Sequence, residues 1–318
     1  MAHLITKLHT LFSMKDLGPL HYFLGVEVKY IGNCMHLSQF KYALDLLTHI
    51  KFTEAKLIST PVSCGQKLSA YDGEAYENPA HYSSVVRALQ YITITQPDLS
   101  YSVNQVCQFM HAPKLSHWKA VKRILRYLKA THNHGLLYKP RNARLFAFFY
   151  ADYAGNPDTR HSTCGYCIYL GPNLVSWSSK KQKTVSRSSA EAEYRQLSYT
   201  AAELSWLQSL FKDLHLHLCQ PTIWCDNVSS IALASNPVFH SRAKHLEVDY
   251  HYIRENVVSA ELLVNYICSQ DQLTDLFTKG LSSSRFKLLV SKLPVVPPPI
   301  SFRGPVRRSQ PLVVTNSS

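Results

Sequence analysis

The sequence predicts an α/β protein: a mixed sheet with flanking helices between residues 140 and 293, preceded by a mostly helical block. Two observations carry this. After Arg144, strand-like and helix-like stretches run in the order three strands, helix, strand, helix, helix, strand, helix. Before Tyr138, apolar residues recur mainly at helical spacing.

Taken in order, Asp16-Leu-Gly-Pro19 reads as a turn and His21–Tyr30 as a strand. Gly32-Asn33 turns that strand back into Met35–Leu37. Ser38–Ile50 reads as a helix capped by Ser38, and Ser59–Pro79 as a polar loop. Further helices are expected over Tyr82–Thr95, Asp98–Met110 and His117–Lys129. His132-Asn-His-Gly135 breaks the pattern, and the Pro-containing basic stretch Lys139–Asn142 reads as a domain boundary.

In the second block, Leu145–Tyr150, Gly165–Leu170 and Leu174–Ser178 read as strands, with Gly171-Pro172-Asn173 as a turn. A long helix follows from Ser188 to about Leu214. Pro221–Cys225 and Leu262–Ile267 are strands; Asn227–Ser235, His245–Glu255 and Leu273–Lys279 are helices. Trp177 and Trp206 are expected in the core. From Pro294 the chain is Pro-rich and basic, and a disordered tail is expected there. The predicted units are therefore 1–139, 140–293 and 294–318.

Hydrophobic residues make up 46% of the 318-residue chain and charged residues 17%, which argues for folding over disorder. No apolar run is long enough to span a membrane, and residues 1–12 lack a signal-peptide pattern. The net charge of +13 suits a polyanionic partner, nucleic acid foremost, although a merely basic protein has the same balance. Its eight cysteines are scattered. Cys164-Gly-Tyr-Cys167 lacks the second pair a zinc site needs, so reduced thiols and an intracellular setting, cytoplasmic or nuclear, are expected.

The chemistry concentrates on Ser188-Ser-Ala-Glu-Ala-Glu-Tyr194. Ser188 or Ser189 caps the helix, and Glu191 sits where the helix dipole favours an anion. Glu191 and Glu193 are about 200° apart around a helix of 3.6 residues per turn, so at most one is expected inside. An inward carboxylate needs a partner, and a metal ion is the partner that would also do chemistry. A capped, solvated helix is the alternative. Asp152 and Asp226 end strands, and Asp271 and Asp275 follow another. Three or four carboxylates converging there would hold two divalent ions. The helix His117–Lys129 carries Lys119, Lys122, Arg123, Arg126 and Lys129 on one face, which could follow a phosphate backbone or simply be solvated. Ser178-Ser-Lys-Lys181 matches a Ser-x-x-Lys nucleophile pattern without its partner motifs. His240, His245 and His251 do not share one helical face, which argues against zinc.

Many motifs, in one order, resemble the C-terminal part of a copia-type retrotransposon Pol polyprotein over residues 10 to 293. Phe12–Val28, Ala88-Leu-Gln-Tyr91, Gln96-Pro-Asp98 and Lys122–Leu128 resemble the end of its reverse transcriptase, a thumb or connection remnant. Trp177–Gln182, Ser188–Tyr194, Trp224-Cys-Asp-Asn227, Lys244–His251 and Asp271–Lys279 resemble its ribonuclease H domain. The resemblance implies a five-stranded mixed sheet and hydrolysis of RNA in RNA–DNA hybrids with Mg2+ or Mn2+, two ions in an active site.

Two departures accompany it. The Tyr-x-Asp-Asp pair of the polymerase is absent, so no polymerisation is expected. The family carries Ser-Asp-Ala-Asp at the end of the first ribonuclease strand, its first Asp a metal ligand; here the stretch is Phe149-Tyr-Ala-Asp152. Glu193, Asp226 and Asp275 match the other ligands, while Tyr150 takes the first position. Asp152 lies on the same strand face, roughly 6–7 Å away, against a spacing of about 3.5–4 Å between paired ions. The implied catalytic and metal set is therefore Glu193, Asp226 and Asp275, with Asp152 or nothing completing it. The alternative is a catalytically dead remnant that binds nucleic acid non-specifically. Arg87, where the family commonly has Gly, is a lesser departure.

Overall fold

The computed structural model describes residues 6, 9–12, 18–141, 143–235 and 247–298. Its first unit begins with three short strands: β1 (Tyr22–Phe23), β2 (Val26–Ile31) and β3 (Cys34–Ser38). The sequence suggested one strand from His21 to Tyr30. The chain instead turns at Leu24 and Gly25, both at positive φ (46° and 72°). A side chain at Gly25 would also meet the Tyr91 ring at 3.2 Å. Helices α1 (Phe40–His49), α2 (Pro79–Ile92), α3 (Ser100–Cys107) and α4 (Leu115–Thr131) follow. Ser38 is not a cap, because it ends β3 and Gln39 takes the cap position. Asn78 caps α2 by accepting from the His81 amide at 2.9 Å, with Pro79 pre-set in the first turn.

The second unit is the predicted layer. Its strands are β5 (Leu145–Asp152), β6 (Thr163–Leu170), β7 (Asn173–Lys181), β8 (Thr222–Cys225) and β9 (Leu263–Tyr266), and its first helix is α5 (Ser189–Asp213). Beyond α5 lie α6 (Val228–Ser235), α7 (Glu247–Val258), α8 (Asp275–Thr278) and α9 (Ser283–Val290). The sheet order is β7-β6-β5-β8-β9, antiparallel among the first three and parallel from β5 onward. This five-stranded mixed sheet with helices on its faces is the ribonuclease H-like fold that the sequence implied.

Burial alternates along β5. Leu145, Ala147 and Phe149 join a core with Tyr194, Leu197, Ala201 and Leu204 of α5. Phe146 and Phe148 face the opposite layer. There a second core runs without interruption from Tyr82, Leu89 and Leu125 of the first unit to Leu276, Phe277 and Leu289.

Two sequence expectations are corrected here. The predicted break follows the end of α4 at Thr131, and Gly135–Tyr138 then forms strand β4, paired with β3. Its far side pairs with β10 (Val295–Val296), inside the stretch expected to be a disordered tail. Short apolar pairs such as Val295-Val296 carry no periodicity, so only the waiting edge of β4 makes them a strand. The remainder of that tail lies outside the described residues. Trp206 is 58% exposed instead of buried. Trp177 is half-buried and donates to the Thr93 carbonyl at 3.2 Å.

At the predicted boundary Lys139–Arg141 are exposed, yet polar contacts also cross between the units. Asp158 accepts from Ser69 Oγ at 2.6 Å and from the Ala70 amide at 2.7 Å, and Asn156 donates to Gln108 at 3.2 Å. A tryptic nick after Arg141 should therefore leave two fragments that elute together at the intact mass and part only in denaturant. Two folded species eluting apart in native buffer would show that the common core is not cohesive.

Among the described residues no helix is long and apolar enough to cross a membrane. All eight cysteines are free thiols.

Candidate functional site

The carboxylates singled out in the sequence collect at one end of the sheet. Tyr150 and Asp152 sit on the last turnings of β5, on the face away from α5. Asp226 follows β8, Glu193 lies in the first turns of α5, and Asp275 opens α8. Gly165 makes the close seating of α8 feasible. It pairs with Tyr150 across the sheet, and a Cβ there would fall 2.6 Å from Phe277 Cβ.

Glu191 and Glu193 are both buried, at 6% exposure each, where at most one was expected inside. Glu191 is held by structure. Ser188 accepts from its amide at 3.1 Å, and its carboxylate takes the Arg187 amide and the Arg195 guanidinium, each at 2.9 Å. A side-chain cap, a backbone hydrogen bond and an ion pair thus offset the cost of burial, which helical spacing cannot reveal. Glu193 is different. Its Oε2 is buried without a hydrogen-bond partner. Burial, reinforced by Asp226 and opposed by an Asn227 hydrogen bond and Lys279, pushes its carboxyl up to about 7.

Asp226 accepts from Ser269 Oγ at 3.1 Å and from Gln272 Nε2 at 3.2 Å. Asp275 is paired twice, with Lys279 Nζ at 2.9 Å and Arg285 Nη2 at 3.3 Å. The same Lys279 Nζ stands 4.4 Å from the centroid of the Tyr150 ring. Tyr150 is raised above the usual phenol range by burial, with Lys279 working against it and Glu193, Asp152 and Asp226 adding to it. It is therefore a neutral phenol at physiological pH. Burial works against the charge on Lys279, but hydrogen bonding and attraction from Asp275 leave its ammonium more basic than usual. Asp152 turns back over its own loop: a Cβ on Gly155 would lie 2.1 Å from its Oδ2. Burial raises its carboxyl, Lys67 and Lys279 oppose this, and Asp275 adds to it.

The residues present do not fit a pair of divalent ions. One cage position is a neutral phenol, both oxygens of Asp275 face cations, and Asp152 faces Lys67 and Lys279. Among the described residues, no three of His, Cys, Asp and Glu are grouped to hold one ion. The fold brings Glu193, Asp226, Asp275 and Asp152 to one end of the sheet but not into one ligand set. What fills the gap is Lys279, a residue the sequence reading placed in a motif without giving it a role. Its spacing of four from Asp275 was the readable signal. Ser269, Gln272 and Arg285 had no such signal, because loop and helix bring them in from other parts of the chain.

Glu193 permits a test in metal-free buffer. Its carboxyl is raised from 4.5 in the unfolded chain to about 7 in the fold. The fold therefore holds the proton more tightly, and this group's contribution to stability falls as pH rises from 4.5 through 7. Glu193→Gln should be more stable than the parent above pH 7, by on the order of 2 kcal/mol. The two should converge below pH 4.5. Equal melting curves across the range would mean that the carboxylate is solvated.

The basic helix is only partly available for phosphate. Lys119 and Arg126 are exposed. Arg123 donates to Thr60 Oγ1 at 2.8 Å, Lys129 to the Ala55 carbonyl at 2.9 Å, and Lys122 stands 5.9 Å over the Trp118 ring. Arg123 and Lys129 hold the 55–60 loop against α4. Of the histidines, His240 and His245 lie outside the described residues, and His251 is exposed.

No family model matches the chain. It is 48% identical over 291 residues to the retrovirus-related Pol polyprotein from transposon RE1 of Arabidopsis thaliana, covering 90% of this chain and 20% of that one. It is 36% identical over 286 residues to the Pol polyprotein from transposon TNT 1-94 of Nicotiana tabacum, covering 87% of this chain and 22% of that one. An uncharacterised mitochondrial protein of Arabidopsis thaliana is 48% identical over 204 residues, covering 64% of this chain and 85% of its own length. The chain spans about a fifth of the length of the curated polyproteins it matches. Among solved structures, the compost-derived LC11-RNase H1 matches at TM-score 0.33 and 16% identity, over 47% of this chain and 93% of its own.

Proposed function

Because the chain belongs to the copia-type retrotransposon Pol family, we propose that it is a ribonuclease H-like module whose metal-binding end is closed. It engages nucleic acid, RNA–DNA hybrid by family, and cleaves it weakly or not at all. The observation that carries this reading is the Tyr150–Lys279–Asp275 arrangement: a phenol at the first ligand position, with an ammonium 4.4 Å from its ring and 2.9 Å from the last carboxylate. An ammonium lodged among carboxylates supplies a single charge where two divalent ions would supply four. It also has no open coordination position at which to polarise a phosphoryl oxygen.

The residues that would hold a metal in an open form are Glu193, through its bare Oε2, with Asp226 and Asp275. A divalent ion there would supply Lewis-acid chemistry for phosphodiester hydrolysis. Asp275 is available for that only if Lys279 and Arg285 release it.

The test is hybrid cleavage by the purified chain with Mg2+ or Mn2+, beside hybrid binding in EDTA. Binding with little cleavage is the expected result. Rapid cleavage abolished by Asp152→Asn would assign the first ligand to Asp152 and overturn the reading.

A further inference from the structure

A concave surface outside the Tyr150–Lys279–Asp275 cluster lies along β7, an edge strand of the second sheet. Two cavities meet there. One, of about 310 Å³, lies between β7 and α5; the other, of about 290 Å³, lies between β7 and α2–α3 of the first unit. They lie on opposite faces of the sheet and share Ser178 and Lys180 of this edge strand in their walls, so a ligand passing over the edge as through a groove would touch both.

The chemistry of the two halves is complementary. The α5 half is basic and aromatic. Lys180, Lys181 and Lys183 line it, and none makes an ion pair among the described residues. Tyr199 lines the same half at 61% exposure. Two carboxylates bear on the groove, and both are occupied. Glu203 accepts from Ser176 at 2.9 Å, and Asp158, which interacts with Lys181, is held by Ser69 and Ala70. The other half is polar and unsatisfied. Ser100 Oγ, Asn104 Nδ2 and Ser179 Oγ are buried and make no hydrogen bond among the described residues. Buried donors and acceptors left unpaired cost free energy, so a groove that gathers three suits a polar ligand able to pair them.

We infer that this groove binds a single strand of nucleic acid. Lysines along an edge strand suit a phosphate backbone, an exposed ring suits a stacked base, and unpaired Ser and Asn groups suit base edges. The groove also opens beside the carboxylates. Gln196, in its wall, is three residues from Glu193, about 4.5 Å along the helix axis at 1.5 Å per residue. A strand lying there would leave or enter the closed site. The inference rests on the reading above for its class of partner, but not on any cleavage.

The test is anisotropy of a fluorescent twelve-nucleotide oligo-dT, in EDTA, over a salt series, with the full chain. Lys180→Ala/Lys181→Ala/Lys183→Ala should weaken binding more than tenfold and flatten the slope of log affinity against log salt by about two, at about 0.7 per phosphate contact on a single strand. Tyr199→Ala should cost about tenfold with the slope unchanged, as loss of stacking does. Lys56→Ala/Lys287→Ala, at exposed positions outside both cavities, should bind as the parent does. Each variant is accepted only if its melting temperature matches the parent. Parental affinity in the triple-lysine variant or in Tyr199→Ala would overturn the assignment. An equal loss in the Lys56→Ala/Lys287→Ala variant would overturn it in favour of diffuse charge, and equal competition by inorganic triphosphate would overturn it in favour of a small-anion pocket. Absence of cleavage in the parent leaves it standing.

Discussion

Tyr150→Asp is expected to raise cleavage of an RNA–DNA hybrid by about a hundredfold or more over the parent chain, the range in which one well-placed electrostatic group acts. Three changes come together in that substitution. The neutral phenol becomes a carboxylate at the end of β5, where Glu193, Asp226 and Asp152 already act on the ring. The ring that Lys279 faces at 4.4 Å is removed, so Lys279 loses a cation–π contact. The aspartate also gives Lys279 a further anionic partner beside Asp275 and Asp152, which weakens its hold on Asp275. The charge of the pocket becomes more negative by one, which is the direction a divalent ion requires. Two readouts separate the causes. Manganese titration monitored by melting temperature reports binding, and hybrid cleavage reports chemistry. Metal stabilisation of the variant without cleavage would mean that geometry, beyond charge, has been lost. Neither response would show that the position of Tyr150 is not the missing ligand. The added carboxylate should lower stability in EDTA, because it gathers like charge in a buried place.

Phe277→Ala is expected to remove about 3–5 kcal/mol of folding stability, the usual cost of emptying a large aromatic from a core. Phe277 is fully buried, packed over Gly165, in the core that runs from the first unit into the second. Gly165 has no side chain to move into the vacated space. Against a total stability of roughly 5–15 kcal/mol this loss is a large fraction. It should lower the melting temperature by roughly 10 °C, taking about 2–4 °C per kcal/mol for a large domain. Calorimetry should show one transition moving as a whole. A second, unshifted transition would mean that the first unit melts alone and that the common core does not couple them. Leu288→Ala, at a 52% exposed position on the neighbouring helix, is the matched control and should stay within about 0.5 kcal/mol.

The two expectations concern one small element. Helix α8 is four residues long, yet it places Asp275 at the site, sets Phe277 in the common core and leads into Lys279. A change that unseats it should affect stability and chemistry together. Gly165 controls that seating, since any Cβ there meets Phe277 and Thr278.

The sequence by itself determined the order of elements in the second unit, because the signals there are local. β5 forms over the apolar run Leu145–Tyr150 that reads as a strand, and α5 carries a cap and an apolar stripe in the predicted place. The resemblance also aligned Tyr150 with the family's first ligand carboxylate, an assignment that the Tyr150→Asp experiment tests. Only the tertiary structure decided what Tyr150 faces. Lys279 is 129 positions away along the chain, and no periodicity links them; packing of α8 over Gly165 does. The same holds for Glu191, buried by Arg195 and Arg187, and for Arg123 and Lys129, drawn onto the 55–60 loop. β10 is the clearest case, for two valines in a Pro-rich stretch become a strand only against the open edge of β4. The physical reason is common to all of them. Secondary structure is set by neighbours within a few residues, whereas the partner of a buried charge or an open strand edge is set by whichever distant segment the fold packs against it.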